Sequence, residues 1–172
     1  MAKKQAQFEA LVRSYSSDLY RMAVWLCHDP ALADDLTQET FLRAWRSIDQ
    51  LRDEKAAKRW LITILRREFA RLFERKVPDF VDSEDVVLPD ERGPDPVERA
   101  EARLLRRAIA GLEPKYREPL VLQVLGGLSC QEIADELKIS RSAVMTQLFR
   151  ARQKLRDRLG TEESDDRAID MS

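Results

Sequence analysis

The stretch that decides the fold of this chain reads SCQEIADEL, KIS and then RSAVMTQLFRARQKLRDRL, and it spans residues 129–159. Ser129 is followed three residues later by a glutamate, which is the spacing of a capping box at the start of a helix. The box predicts a short helix over residues 130–137. After a tight turn, Ser140 is a second N-cap residue and predicts a longer helix over about residues 141–159. Two capped helices joined by a tight turn are typical of a helix-turn-helix.

The N-terminal end of the second predicted helix has the side chains expected of a DNA-reading surface. Short polar and apolar groups come first, where base edges would lie, and long cations suited to phosphates follow. The residues concerned are Ser140, Arg141, Ser142, Met145, Thr146 and Gln147 at the base-facing end, with Arg150 and Lys154 behind them. The alternative is an ordinary helical hairpin with a solvated basic face, since such faces are common.

The first part of the chain predicts a compact bundle of three helices. Apolar residues recur at helical spacing from residue 5 to 28, then to about 48, and from about 55 to 76. Asp29 followed by Pro30 is an N-cap with proline at the first helical position. Because short connections favour antiparallel packing of neighbouring helices, residues 5–76 are interpreted as one small all-α domain.

A change of composition separates this bundle from the second half of the chain. Residues 77–95 combine several prolines with many acidic side chains, which predicts a flexible acidic linker. Helical periodicity resumes at Pro96, and residues 96–159 form a second all-α domain that contains the predicted helix-turn-helix. Residues 160–172 are polar and acidic and are predicted to be a disordered tail.

The composition excludes several classes of protein. The net charge is only -1, but cations concentrate in residues 52–76 and 140–158, while acids lie between and after them. One histidine, His28, with Cys27 and Cys130 gives neither zinc-ligand spacing nor a Ser-His-Asp set, and the glycines form no phosphate loop. We expect no catalytic residue, no metal and no cofactor, with both cysteines packing inside and His28 at a helix end or on the surface. No signal peptide or membrane-spanning stretch is predicted, which favours the cytoplasm.

Several runs of sequence resemble one family of bacterial proteins. LEPKYREPL (112–120), GLSCQEIA (127–134) and LFRAR (148–152) look like region 4 of the extracytoplasmic-function (ECF) sigma factors of the sigma-70 family. ADDLTQETFLRAW (33–45) looks like region 2.2 of that family, and Trp60-Leu61 in an arginine-rich helix is similar to regions 2.3 and 2.4. The resemblance implies a transcription initiation factor, not an enzyme, that directs core RNA polymerase to promoters.

The resemblance also implies partners. The polymerase would be held through the clamp coiled coil of its largest subunit and through its flap, with Asp35, Gln38, Glu39 and Phe41 at the clamp contact. An ordinary solvated helix face is the alternative for these residues. Promoter DNA is the second expected partner, and a cognate anti-sigma factor that inhibits the protein is the third.

In such proteins the first domain recognises and melts the -10 element, and the loop before the third helix receives a flipped base. The resemblance implies that role here for Arg52, Lys55, Lys58, Arg59, Trp60, Arg66, Arg67 and Arg71. Trp60 stands where an aromatic ring could stack on a base, but core packing beside Leu61 and Ile64 is favoured because tryptophan is usually buried. Several sequences of the family have an asparagine near Arg67-Glu68, which this sequence lacks, so the resemblance does not carry over the details of -10 reading.

The -35 reading surface also departs from the commonest family pattern. Met145, Thr146 and Gln147 stand where lysine or arginine, serine and arginine are usual. Glutamine can pair with adenine and methionine can contact a thymine methyl, so we predict a -35 preference that is not guanine-led, or a greater reliance on Arg141 and on DNA shape. Lys138 replaces the usual glycine of the turn and should cost about 1 kcal/mol if its backbone is left-handed.

Two rival functions are compatible with the same residues. A conventional repressor or activator would bind its operator without polymerase. An adaptor that only mimics a sigma factor would bind its partner without using its basic helices. A sigma factor differs from both because it supports promoter-specific transcription only together with core polymerase.

Overall fold

The structure is a computed structural model that describes the backbone of residues 2–75 and 95–170, and the side chains of residues 2–72 and 95–160. The chain divides into two compact units, Met1–Val86 and Val87–Ser172, which are described separately below. The described residues of both units are helical and contain no strand, as the all-α prediction requires. None of their helices is long and apolar enough to cross a membrane.

The described residues of the first unit form three α-helices, as the sequence predicted. They are α1 (Ala2–Cys27), α2 (Pro30–Ser47) and α3 (Ala57–Arg75). The Asp29 carboxylate caps α2 by accepting hydrogen bonds from the backbone N–H groups of Ala31 and Leu32, at 3.1 and 3.3 Å. Two short 3-10 turns, Ile48–Gln50 and Glu54–Ala56, occupy much of the predicted loop between α2 and α3.

The core of the first unit lies between the facing sides of its three helices. Leu19, Met22, Leu61 and Leu65 are among its fully buried side chains. A smaller cluster of Leu11, Ile48, Leu51 and Ala57 closes one part of the unit, and it is covered by the partly buried rings of Phe8, Tyr15 and Trp60. The packing alternative for Trp60 is therefore confirmed in part, because the ring contacts this cluster while remaining half-exposed.

His28 corrects one of the sequence interpretations. We expected a helix-terminal or surface group, and it does follow the last residue of α1, but only 1% of it is exposed. Its backbone is left-handed, with φ at 52°, and its N–H donates to the Val24 carbonyl at 2.7 Å. The reversal of the chain turns the imidazole inward, so His28 cannot serve as a solvated cation.

In the part of the second unit that the structure describes, there are four helices. They are α4 (Pro96–Ala110), α5 (Pro114–Val124), α6 (Cys130–Leu137) and α7 (Arg141–Asp170). The predicted capping box is present, because the Ser129 hydroxyl accepts from the Glu132 N–H and the Glu132 carboxylate accepts from the Ser129 N–H, both at 3.1 Å. Lys138 adopts the left-handed conformation, with φ 57° and ψ 44°, that lets α6 turn tightly into α7.

Two boundary predictions have different outcomes. The predicted linker over residues 77–95 lies outside the described residues except for Asp95, whose carboxylate caps α4 by accepting from the Val97 N–H at 2.9 Å. We expected α7 to end near residue 159 and a disordered tail to follow, but the helix continues to Asp170. The predicted helix end near residue 159 is therefore wrong, because no proline interrupts residues 160–170 and a single glycine is tolerated within a helix.

Candidate nucleic-acid and partner interfaces

The helix-turn-helix presents the capped N-terminal end of α7 to solvent. The Ser140 hydroxyl accepts a hydrogen bond from the Ala143 N–H at 3.0 Å, which fixes the start of the helix. The inner side of α7 is held by a buried stripe of Val144, Leu148, Ala151 and Leu155. All the residues predicted to read or hold DNA are exposed except Gln147, which is half-buried: Ser140, Arg141, Ser142, Met145, Thr146, Arg150 and Lys154.

The base-facing end of α7 is less polar than its sequence suggests. The Thr146 hydroxyl donates to the Ser142 carbonyl at 3.1 Å, so its hydrogen is already engaged within the helix. The Gln147 Oε1 atom is buried without a hydrogen-bond partner. To pair with a base through both its amide oxygen and its amide nitrogen, the Gln147 side chain must therefore rotate toward solvent. Met145 and Phe149 are both more than half exposed and lie one helical turn apart.

Behind this end, one cation from α5 and one from α7 lie over a single aromatic ring. Tyr116, in the first turn of α5, is 6% exposed. The Lys115 and Lys154 ammonium groups lie 5.0 and 5.4 Å from its ring centroid, within cation–π range. A hydrogen bond with Arg150 is the main cause that lowers the pKa of the Tyr116 hydroxyl, and Lys115 adds to the effect.

Polar contacts also fix α7 against α4 and α5. Arg152 donates to the Gln123 side chain, and Arg158 donates to the Ala108 carbonyl at 3.4 Å. Arg117, which is buried, donates to the Ala110 carbonyl at 3.0 Å and so satisfies a carbonyl at the end of α4. These contacts hold the reading helix in a defined position on the second unit.

In the first unit, α2 presents a polar face with an apolar centre. Asp35 and Gln38 are exposed and Glu39 is half-buried, as a partner contact requires. Leu42, which the sequence analysis did not select, is more than half exposed on the turn that follows Gln38. Phe41 is buried instead, and its ring packs edge to face against Phe8 with centroids 6.3 Å apart. The structure therefore contradicts a surface position for Phe41.

The basic residues of the first unit spread along α3 and the loop before it. Arg52, Lys55, Arg59, Arg67 and Arg71 are exposed, while Lys58, Trp60 and Arg66 are half-buried. A cleft of about 240 Å³ between α2 and α3 brings Trp60 together with Arg67 and Arg71, and it adds Arg46 and Gln50 from the other wall. The described part of the cleft thus combines an aromatic ring, an amide and several cations.

A buried carboxylate organises one end of this cleft. Glu68 is only 9% exposed, and its Oε1 atom lies 2.5 Å from Arg43 Nε and 3.3 Å from Arg71 Nη1. Arg43 Nε also lies 3.2 Å from Glu39. The Arg43 Nε–H points at neither carboxylate well enough for a hydrogen bond, so these contacts are ion pairs. Glu68 therefore links the polar face of α2 to the cations of α3.

Comparison with known proteins gives two separate family matches. The family description "Sigma-70 region 2" matches residues 11–86, and "Sigma-70, region 4" matches residues 102–155. The ECF RNA polymerase sigma factor SigM of Bacillus subtilis is 30% identical over 86% of this chain and 92% of its own length. SigL of Mycobacterium tuberculosis is 34% identical over 90% of each chain.

The chain belongs to the ECF family of sigma-70 factors. Sigma factors are transcription initiation factors and not enzymes, so the function class predicted from the sequence is confirmed. The first unit holds sigma region 2 and the second holds sigma region 4. Within the described residues, no group of three or more potential ligands could hold a metal ion.

Solved structures show the same fold. The sigma factor RpoE from Bartonella quintana, crystallised with the anti-sigma factor NepR, matches with a TM-score of 0.68 at 23% identity, over 93% of this chain and 98% of its own. CnrH, solved in complex with the cytosolic domain of CnrY, matches with a TM-score of 0.62 at 26% identity, over 91% of this chain and 90% of its own. The all-α, two-domain prediction is thereby confirmed.

Three side chains at these surfaces were missed from the sequence. Leu42 and Phe149 each stand one helical turn from a selected residue, so the helical period could have identified them. Tyr116 could not be found in this way, because its contacts with Arg150 and Lys154 join parts of the chain that are distant in sequence.

Proposed function

We propose that this sigma factor holds core RNA polymerase through the exposed face of α2. Asp35, Gln38, Glu39 and Leu42 follow one another at helical spacing, and Leu42 gives the face an apolar centre with a polar rim, the usual composition of a protein interface. Phe41 supports this face from beneath by packing against Phe8. The clamp coiled coil of the largest subunit is the expected partner at this face, and the flap is the expected partner of region 4.

We propose that the -10 element is bound by α3, the loop before it and the cleft between α2 and α3. The half-exposed Trp60 ring can stack against an unpaired base, and Arg67 and Arg71 can neutralise backbone phosphates nearby. Arg52, Lys55, Lys58, Arg59 and Arg66 extend the positive charge around this cleft. The co-location of an aromatic ring and cations at one cleft supports this assignment.

We propose that the -35 element is read by the capped end of α7 in the major groove. The observation that carries the proposal is this exposed N-terminal end, supported by a buried stripe within a helix-turn-helix. Arg141 is the cation nearest the base-facing end, while Met145 and Phe149 offer apolar contact to thymine methyl groups. We therefore expect a -35 preference that is not led by guanine.

We propose that an anti-sigma factor controls this protein. The RpoE structure contains the anti-sigma factor NepR, and the CnrH structure contains the cytosolic domain of CnrY, so two proteins of this fold were captured with a bound partner. Such control would operate in the cytoplasm, where the polymerase transcribes. An anti-sigma factor should copurify with the protein, and adding it should suppress transcription in a purified system.

Run-off transcription with purified core polymerase and a genomic promoter library tests the proposal. Adding the protein should produce discrete transcripts whose start sites share -10 and -35 sequences. The double variant Arg150→Glu/Lys154→Glu should lose these transcripts and retain binding to core, since only DNA contacts are reversed. The control variant Lys3→Glu, on an exposed residue at the start of α1, should transcribe normally. Tight operator binding without polymerase would favour a conventional regulator.

The polymerase contact needs its own measurement. Asp35→Lys should weaken copurification with core polymerase, because it reverses charge within the proposed α2 face. Glu9→Lys makes the same charge change on an exposed part of α1 and serves as the matched control. Equal retention of core by both variants would exclude this part of α2 from the contact.

A further inference from the structure

Two arginines of the first unit share one carboxylate oxygen beside the proposed -10 cleft. Glu68 Oε1 lies 2.5 Å from Arg43 Nε, and it accepts a hydrogen bond from Arg71 Nη1 at 3.3 Å. The Glu68 side chain is 9% exposed, while those of Arg43 and Arg71 are 37% and 52% exposed. Arg43 therefore makes the shorter contact with the carboxylate, and Arg71 makes the longer one from a position that water reaches more easily.

The same three charged side chains line two clefts between α2 and α3. One is the proposed -10 cleft, which Trp60 and Arg67 also line. The other, of about 420 Å³, has Asp35 and Glu39 on its α2 side. The Arg43 Nε atom lies 3.2 Å from the Glu39 carboxylate as well. This group of ion pairs thus joins the proposed polymerase face to the proposed DNA cleft, and its charge balance bears on the cations that meet DNA.

The charge balance at Glu68 decides what Arg71 can do. Ionic attraction grows as the distance shortens, so Arg43 supplies the larger share of the attraction that offsets the buried carboxylate. A buried charge that loses its partner is strongly unfavourable. Without Arg43, the exposed and adaptable Arg71 would be drawn closer to Glu68, and a guanidinium held by a carboxylate is less available to a phosphate.

We propose that Arg43 is a positioning residue for -10 binding, which neutralises Glu68 and thereby leaves Arg71 available to a DNA phosphate. The inference rests on the proposed function, because it assumes that Arg71 meets the -10 backbone. In this role Arg43 makes no contact with DNA. The Glu68 carboxylate competes with phosphate for Arg71, and the ion pair with Arg43 weakens that competition.

Promoter binding by preassembled holoenzyme, measured over a range of salt concentrations, tests this role. Arg43→Met removes the charge, and it should weaken binding of a promoter fragment about 3- to 10-fold, the size expected when one cation stops contacting DNA. The slope of log K against log salt concentration should become shallower by about 1, because one phosphate contact is lost. Arg43→Lys keeps the charge and should retain the wild-type affinity and slope. Glu68→Gln removes the competing charge and should bind at least as tightly as the wild type.

The double variant Arg43→Met/Glu68→Gln separates positioning from direct contact. With the carboxylate charge gone, Arg71 no longer has a competitor for phosphate, so the double variant should regain the affinity and the salt slope of Glu68→Gln. If Arg43 contacts DNA itself, Arg43→Met should instead weaken binding equally in both backgrounds. That result overturns the proposal.

The salt slope also separates positioning from stability. A merely structural Arg43 would reduce the fraction of active holoenzyme but leave the slope of the active molecules unchanged, so a wild-type slope for Arg43→Met overturns the proposal. Arg13→Met, on an exposed arginine of α1, is the matched control and should change neither affinity nor slope. If Arg43→Met fails to fold, Arg43→Gln provides the same test, because glutamine is uncharged but can still donate a hydrogen bond to Glu68.

Arg71→Ala distinguishes failure of this inference from failure of the proposed function. It should weaken promoter binding and make the salt slope shallower by about 1, because it removes the phosphate contact directly. If Arg71→Ala changes neither affinity nor slope, the proposed -10 role of Arg71 fails, and the positioning role of Arg43 fails with it. If Arg71→Ala changes both and Arg43→Met changes neither, only the positioning role fails.

Discussion

The buried carboxylate of Glu68 gives the sharpest test of how region 2 is held together. Its Oε1 atom lies 2.5 Å from Arg43 and 3.3 Å from Arg71, and Glu68 is 9% exposed. The two arginine side chains are 37% and 52% exposed, so they keep much of their hydration. Removing an arginine and removing the carboxylate should therefore have unequal effects on stability.

The magnitude follows from which charge is left behind. Breaking a fully buried ion pair from one side costs roughly 3–5 kcal/mol, because a desolvated charge remains without its partner. Arg43→Met leaves Glu68 buried with only the more exposed Arg71, and we expect a loss of roughly 2–3 kcal/mol after discounting for partial exposure. Glu68→Gln leaves only arginines that water can reach, so its loss should be smaller, roughly 1–2 kcal/mol.

Tryptophan fluorescence during urea denaturation measures this effect in the full chain. All three tryptophans, at positions 25, 45 and 60, lie in the first unit, so the signal reports on that unit alone. Arg46→Met is the matched control on an exposed arginine of the same helix and should change stability by no more than about 0.5 kcal/mol. The reasoning is refuted if Arg43→Met costs no more than Arg46→Met, or if Glu68→Gln costs more than Arg43→Met.

Three further predictions concern the second unit and the tyrosines. Lys138→Gly should raise its free energy of unfolding by about 1 kcal/mol in circular dichroism denaturation, because it relieves a left-handed lysine, while Lys138→Ala should not. Gly126→Ala should destabilise it by roughly 1–3 kcal/mol, since the new Cβ would lie 2.5 Å from the Leu122 carbonyl oxygen, whereas Gly160→Ala meets open space and should be neutral or stabilising. In an ultraviolet titration, Tyr116 should ionise at lower pH than Tyr20, because neighbouring cations lower the pKa of Tyr116, while burial and then Asp34 raise the pKa of Tyr20. The variant Tyr116→Phe should remove the absorbance change that occurs at lower pH. Loss of the absorbance change at higher pH instead would contradict this order.

Features set by neighbouring residues were predictable from the sequence. The Asp29 cap before Pro30, the capping box at Ser129 and the cap at Ser140 each depend on residues within one helical turn, and all three are present. The left-handed turn at Lys138, which the sequence analysis raised only as a condition drawn from the family's usual glycine, is also present. Capping hydrogen bonds join residues only two or three positions apart, so the sequence alone predicts them. The boundaries of α2 and α6 and the start of α7 were therefore predicted.

Features set by packing between distant segments were not predictable. The burial of His28 depends on how α1 ends against the rest of its unit. Phe41 was predicted at a partner surface, but its burial against Phe8 places it on the apolar side of α2, because one residue turns a helix by about 100°. The resemblance alone favoured its exposure. The pairing of Arg43 with Glu68 likewise joins two helices, and no sequence spacing reveals it.

If α7 reads the -35 element as proposed, its arrangement separates affinity from specificity along one helix. At its proposed base-facing end, Met145 and Phe149 are exposed and apolar and the Thr146 hydroxyl hydrogen is bonded within the helix, so Arg141 is the main charged group that could read bases. Further along, Arg150 and Lys154 keep their charge on the same exposed side, where phosphate contacts make binding salt-dependent but not sequence-dependent. If α7 enters the major groove as proposed, the energy of -35 binding comes mainly from these two cations. Sequence choice then depends on thymine methyl contacts and DNA shape, so promoter mutations at the -35 element should change selectivity without changing the slope of the salt dependence.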